Sequence, residues 1–197
     1  MVLEAAGLKT LGKVALKADG SLERITFDRV TIKDWFDAQV AVVGRGKGRL
    51  PLLQVNGGKL DMRRAGFVGG SGATSVNPAE SGPISLNLNS LRLSDGIELT
   101  NFRGDFTTSK GISGAFSAQV NGQANVSGSV LPQDGRSAVR ITSSDAGKVL
   151  QAAKFLKSAS GGEMSLVLKP VGQEGSYDGA LDVTSLRLRD TPAIGAL

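Results

Sequence analysis

The spacing of apolar residues predicts β-strands along most of this 197-residue chain. One pattern occurs three times: apolar residues at positions zero, two, five and seven, then an aspartate at nine. The copies begin at Ile25, Leu86 and Leu181 and end at Asp34, Asp95 and Asp190. Steps of two keep apolar side chains on one face of a strand, and the step of three restores that face only if a residue bulges out. We therefore predict three long strands, with a bulge or kink near Asn89-Ser90 and Thr184-Ser185.

Turn signals separate the alternating segments. Asp19-Gly20, Asn121-Gly122 and Asp134-Gly135 are typical of tight hairpins, because glycine and its neighbour tolerate positive φ. The 27 glycines are about twice the usual share and are scattered along the chain. The predicted fold is mainly β: a long, strongly curved antiparallel meander sheet. The aspartates at the turns are expected to accept backbone hydrogen bonds rather than bind a metal.

A single segment departs from the alternating pattern of the predicted strands. Ser144–Lys157 places apolar residues on one helical face, and Ser144 or Asp145 is a suitable N-cap. The apolar face comprises Ala146, Val149, Leu150, Ala153 and Leu156. Gly161-Gly162 follows as an end signal. We predict one capping α-helix near 144–157 that plugs an open end or face of the sheet.

The chain divides where periodicity is weakest. Residues 1–65 are predicted to form an N-terminal β segment that continues a longer body, and 66–82 a Gly/Ser-rich loop or linker. Residues 83–197 are predicted to form a C-terminal β domain, with a further short helix after Thr191-Pro192. The N-terminus lacks a signal-peptide pattern, and no apolar run approaches ~20 residues. We expect a piece of a longer protein whose membrane anchor lies outside this chain.

The composition excludes several kinds of chemistry. Cysteine and histidine are absent, which excludes disulfides, thiolate or imidazole metal sites and the commonest nucleophile–base pairs. Gly7–Lys13 has the spacing of a phosphate loop, but Val14 stands where Ser or Thr is required. We therefore predict no enzyme activity, no metal and no cofactor.

The net charge of +5 is spread along the chain. Small basic clusters occur at Arg45, Lys47 and Arg49 and at Arg63-Arg64, without the interleaved aromatics typical of nucleic-acid binding. No nucleic-acid partner is therefore predicted. Solvated strand faces, or attraction to anionic lipid headgroups, account for the same charge.

The succession of motifs after Pro83 carries a family resemblance. LRLSDGIELTNFRGDF is followed by GISGAFSAQVNGQANVSGSV, ITSSDAGKVLQAAKF and GGEMSLVLKPVGQEGSYDGALDVTSLRLRDTPAIGAL. This order resembles the C-terminal region of the AsmA-like superfamily of bacterial envelope proteins (AsmA, YhdP and TamB relatives). The resemblance implies an inner-membrane anchor, a periplasmic body and a groove- or taco-like sheet with an apolar interior. It also implies a role in phospholipid transport between membranes or in outer-membrane integrity, and no catalytic residues.

Two functional hypotheses follow. The first is a lipid-binding or lipid-transfer module for phospholipid or another acyl lipid, with one sheet face lining an apolar groove. The candidate lining is Leu86, Leu88, Ile97, Leu99, Phe116, Val126, Val130, Leu181 and Val183. The same side chains would serve equally well as a closed core. The second hypothesis is a structural or interaction cap domain that docks an envelope protein.

Overall fold

The computed structural model describes residues 2–5, 8–64, 82–108, 111–173 and 176–188. The elements within these residues are β1 (Val2–Ala5), β2 (Leu8–Leu16), β3 (Leu22–Ile32), β4 (Phe36–Val43), β5 (Leu52–Asp61), β6 (Ile84–Arg92), β7 (Glu98–Thr107), β8 (Ser113–Val120), β9 (Ala124–Gln133), β10 (Arg136–Ser143), α1 (Ala146–Ala152), β11 (Ala159–Ser160), β12 (Glu163–Pro170), β13 (Tyr177–Thr184) and β14 (Arg187–Leu188). The prediction of a mainly β chain with one helix is thus confirmed for the described residues.

The described strands form one large sheet and one small pair. Strands β1 to β10 follow each other in chain order, and β12 and β13 complete a twelve-stranded sheet. The sheet is an open, curved meander that does not close into a barrel. One pair departs from the predicted antiparallel order: β5 and β6 are parallel. The separate pair is β11 with β14.

The sheet continues across the predicted division of the chain. Leu53 pairs with Ile84 and Leu60 with Leu91, so residues on both sides of the predicted linker share one sheet. The predicted loop or linker lies outside the described residues apart from Gly82, and so does the predicted helix after Thr191-Pro192.

One of the first two predicted steps of three appears as a bulge in its own strand. In the first copy, the β3–β4 register shifts between Phe27 and Val30, which places an extra residue in β3. In the second copy, Leu88 and Leu91 are both buried, but β6 keeps its register with β5 and β7 near Asn89-Ser90, where a bulge or kink was predicted. The irregularity lies in the neighbouring strand β7, where Asn101 has a left-handed φ of 51°. A bulge within β7 also shifts its register against β8 at this position. A bulge bends the strand that contains it, so β3 and β7 are expected to bend at these positions.

The third copy ends in a sharp kink, as predicted. Strand β13 stops at Thr184, and Ser185 has a left-handed φ of 57°. The chain then leaves the large sheet, and Arg187 pairs with Ser160 of β11. The pattern at the C-terminus therefore marks where the last long strand ends.

Helix α1 is shorter than predicted. The Asp145 side chain caps it by accepting a hydrogen bond from the Lys148 N–H, which lowers the pKa of Asp145. The helix ends at Ala152 rather than near Lys157, because Lys154 adopts a left-handed φ of 63°. Asn121 Nδ2 in the β8–β9 turn donates to the Ala152 carbonyl at 2.7 Å. The helix therefore lies at the sheet margin where the β8–β9 turn is found.

The buried face of α1 joins the main hydrophobic cluster. Ala146, Val149 and Ala152 are buried and belong to the same cluster as Leu88 and Phe116 of the sheet. On another side of the helix, Gly147 permits a close approach to β11, since a Cβ there would lie 2.6 Å from the backbone carbonyl carbon of Ser160. The helix thus covers one margin of the apolar face of the sheet.

Candidate functional site

One face of the large sheet carries a continuous apolar row. Residues directly paired across neighbouring strands point to the same face, so the strand registers define rows that cross the sheet. The central row consists of Gly12, Phe27, Val40, Val55, Leu86, Gly104, Phe116, Gly128, Ile141, Leu166 and Leu181. It crosses eleven strands, from β2 to β13. At ~4.8 Å between strands, the row spans about 48 Å.

Two further rows flank the central row on the same face. The outer row consists of Val14, Ile25, Val42, Leu53, Ile84, Phe106, Gly114, Val130, Val139, Leu168 and Gly179. The helix-side row consists of Ile32, Phe36, Leu60, Leu91, Leu99, Val120 and Ala124. Together with the central row they form what we call the apolar face.

The opposite face is largely polar. A row between the central and helix-side rows consists of Gln39, Asn56, Asn87, Arg103, Ser117, Ser127, Thr142, Ser165 and Asp182. The alternation is clearest in β7, where Leu99, Phe102 and Phe106 are buried while Arg103 and Asp105 are exposed. The sheet is therefore amphipathic across its width.

Aromatic rings lie beside glycines in the central row. A Cβ on Gly128 would lie 2.5 Å from Cε1 of Phe116, and a Cβ on Gly104 would lie 2.7 Å from Cε2 of Phe106. The Phe116 ring also stacks on Phe102, with ring centroids 5.2 Å apart. Because each ring occupies space left by a missing side chain, large residues need not protrude far from the surface.

Exposure of the apolar face changes from margin to margin. The helix-side row is buried from Leu91 to Ala124, whereas most of the outer row is half-buried. In the central row, Phe116 is buried, Leu166 is half-buried and Leu181 is 51% exposed. The apolar face is therefore covered near α1 and accessible towards β13.

The predicted lining residues map unevenly onto this face. Leu86, Phe116 and Leu181 lie in the central row, Val130 in the outer row and Leu99 in the helix-side row. Leu88, Val126 and Val183 belong to the same cluster, with Leu88 almost wholly buried. Ile97 does not lie on a strand: it is half-buried in the β6–β7 turn, where its carbonyl accepts from the Leu93 N–H, and it is outside the cluster.

Sequence reasoning missed the N-terminal half of the apolar face. Phe27, Val40 and Val55 occupy the same central row as the predicted residues. Phe102 and Phe106 were also missed, although both are buried. The period-two pattern of β3 and β4 contained a signal for the first group, but only the strand register joins it to the C-terminal strands.

Two aspartates of the repeated pattern make ion pairs. Arg63 bridges Asp61, at 2.6 Å, and Asp95. Arg64 pairs with Asp34. Hydrogen bonding from Arg63 lowers the pKa of Asp61. These contacts link the ends of strands on the side of the sheet where α1 lies. Asp19 has the predicted turn role, since it accepts from the Ser21 N–H at 3.0 Å.

Two open depressions lie elsewhere. One of about 620 Å³ is lined mainly by polar side chains of β9, β10, β12 and β13. One of about 540 Å³ lies beside the bulge of β3 and a second bulge in β5, between Asn56 and Lys59. Within the described ranges, no group of three or more Asp and Glu residues is arranged to hold a metal ion. No described buried side-chain polar atom lacks a hydrogen-bond partner. Each depression spans four strands, whereas the central row of the apolar face crosses eleven, so the apolar face is the stronger candidate.

The fold defines a class of protein: an open β meander with one apolar and one polar face. In the part of the chain that the structure describes, no helix has both the length and the hydropathy needed to cross a bilayer. Comparison of the chain with protein-family models, curated proteins and solved structures found no match.

Proposed function

We propose that this chain is a non-enzymatic lipid-binding or lipid-transfer module. The observation that carries the proposal is the central row, which continues without a polar residue across eleven strands. A closed core needs apolar side chains in a compact region, whereas an acyl chain needs a long apolar path. The row provides such a path.

The dimensions and energies suit an acyl chain. A bilayer's hydrocarbon core is ~30 Å thick, so one lipid tail covers roughly 15 Å, well within the ~48 Å of the row. Each methylene removed from water contributes ~0.8 kcal/mol. Ten methylenes on the apolar face would contribute roughly 8 kcal/mol before the entropic costs of binding.

The resemblance to the AsmA-like superfamily supports a cellular setting. On that basis, the module belongs to a larger periplasmic protein anchored in the inner membrane and acts in phospholipid transport and outer-membrane integrity. The net positive charge of +5 also favours lipids with anionic headgroups.

Neighbouring residues on opposite faces of β12 allow a matched test. Leu166 lies in the central row, and Val167 faces the other side, opposite Arg140 of β10. Both side chains are half-buried. Leu166→Asp should abolish the phospholipid that co-purifies with the chain in native mass spectrometry, and Val167→Asp should retain it.

A second variant avoids the risk of unfolding. Leu181 is in the same row but 51% exposed, so Leu181→Asp should weaken lipid binding without lowering the unfolding midpoint. Absence of lipid from the wild-type chain, or equal loss in Leu166→Asp and Val167→Asp, would be inconsistent with the proposal.

A structural or interaction cap is the second candidate. The burial of residues near the helix favours the cap hypothesis. Leu88 is almost wholly buried there, and Val149 and Ala152 belong to the same hydrophobic cluster. In that case native mass spectrometry would show a stoichiometric envelope protein and no bound lipid.

A further inference from the structure

The segment that follows α1 exposes two large apolar side chains between lysines. Phe155 is 71% exposed and Leu156 is 41% exposed, and both Lys154 and Lys157 are exposed. Single exposed apolar residues are common on protein surfaces, whereas a Phe and a Leu that are adjacent and both exposed are less common. The helix does not need them for packing, since Ala146, Val149 and Ala152 supply its buried face.

The segment has a fixed local conformation. The N–H groups of Phe155 and Leu156 both donate to the Leu150 carbonyl, at 2.9 and 3.3 Å. The Gln151 side chain donates to the carbonyl of Ala159, which pairs with Leu188 in the small sheet. Leu188 is itself 49% exposed. The exposed apolar groups therefore lie on a hydrogen-bonded framework.

Exposed cations flank these apolar groups along the chain. We define the helix-exit patch as Phe155, Leu156 and Leu188 together with the exposed cations Lys148, Lys154, Lys157 and Arg187. The described residues 145–160 and 186–188 carry four cations and one acid, Asp145, which is already occupied as the helix cap and as the partner of Lys148. Asp95 and Glu98 lie near the end of the helix, because Asn121 donates to both the Gly96 and Ala152 carbonyls, and Asp95 is paired with Arg63.

We propose that the helix-exit patch docks onto an anionic lipid bilayer. Phe and Leu enter the interfacial region, and the flanking lysines extend along their aliphatic stems to place their ammonium groups at the headgroup phosphates. Each basic residue near such a surface strengthens binding by about fivefold. This docking surface is distinct from the apolar face, because it contacts an intact membrane rather than an extracted lipid.

Vesicle flotation with the full 197-residue chain tests the proposal. Vesicles of phosphatidylcholine with phosphatidylglycerol should bind the chain at low salt, and vesicles of phosphatidylcholine alone should bind it far less. Phe155→Ser/Leu156→Ser should weaken binding by at least about tenfold. Lys154→Gln/Lys157→Gln should weaken it by about 25-fold and reduce its salt dependence. Leu131→Ser is the matched control: Leu131 is 60% exposed on β9, outside the patch, and its loss should change nothing.

The outcomes separate this inference from the proposed function. Failure of the wild-type chain to float, or equal losses in Leu131→Ser and Phe155→Ser/Leu156→Ser, would overturn the docking surface. Capture of a protein partner through the patch without vesicle binding would also overturn it. A wild-type chain that floats through the patch but carries no co-purifying lipid would support docking while refuting the lipid-binding module.

Discussion

Gly128 is the most informative position on the apolar face. A Cβ there would lie 2.5 Å from Cε1 of Phe116 and 2.7 Å from the backbone oxygen of Arg140. The ring has little freedom to retreat, because it stacks on Phe102. Overpacking of this kind costs about 1–3 kcal/mol, and the lower entropy of the unfolded alanine chain offsets about 0.4–1 kcal/mol. We therefore expect Gly128→Ala to lower the free energy of unfolding by about 1–2 kcal/mol.

Urea and thermal unfolding measure this change. For a chain of this size the expected fall in Tm is about 2–8 °C. Gly96→Ala is the control, since no atom lies within 4 Å of the added Cβ and its φ is not positive, and it should stay within ~0.5 kcal/mol of wild type. Phe116→Leu removes part of the clash, so the penalty of Gly128→Ala should shrink in that background. Equal stability of Gly128→Ala and Gly96→Ala would show that no ring covers Gly128.

Substitutions at three further positions test other parts of the structure. Leu88→Ala should lose about 2–5 kcal/mol of unfolding free energy in chemical denaturation, since Leu88 is almost wholly buried; a loss below ~1 kcal/mol would contradict that burial. Asp145→Ala should lose about 0.5–2 kcal/mol with the helix cap, and Asp145→Asn much less. Because the Lys148 N–H lowers the pKa of Asp145, its contribution should be present above the unfolded value of 3.8 and disappear as the pH falls through the lower folded value. A pH profile of stability unchanged in Asp145→Asn would argue against this. Asp95→Ala should leave the denaturation midpoint unchanged, because the Asp95 side chain is 96% exposed, and a clear fall would indicate a stronger network.

Local features of the fold were predictable from the sequence. Asn121 and Gly122 have φ values of 48° and 72°, as the predicted two-residue hairpin requires, and Asp134 and Gly135 repeat the arrangement. The N-cap of α1, Asp145, is one of the two positions that the sequence predicted, the other being Ser144. These features depend on a few adjacent residues, whose preferences the tertiary structure does not override.

Long-range features were not predictable in the same way. The parallel pairing of β5 with β6 joins residues far apart in the chain, such as Leu53 and Ile84, and no adjacent residues encode it. The helical pattern continues to Leu156, but the left-handed conformation of Lys154 ends the helix earlier. The lining residues were only partly predictable, because a row across the sheet is set by the register of every strand it crosses.

The two proposals meet at the same end of the sheet. The apolar face is covered by α1 at the helix-side row, whereas the last strand, β13, exposes Leu181. Strand β13 leads directly through Ser185 to β14, which carries Leu188 of the helix-exit patch. A membrane bound at this patch would therefore lie beside the accessible end of the central row, and an acyl chain would have a short path between them. The test is lipid transfer between vesicles. If variants at Leu181 and at Phe155 impair transfer more together than either does alone, while Leu131→Ser does not, the result supports passage of an acyl chain from a membrane at the patch to the central row.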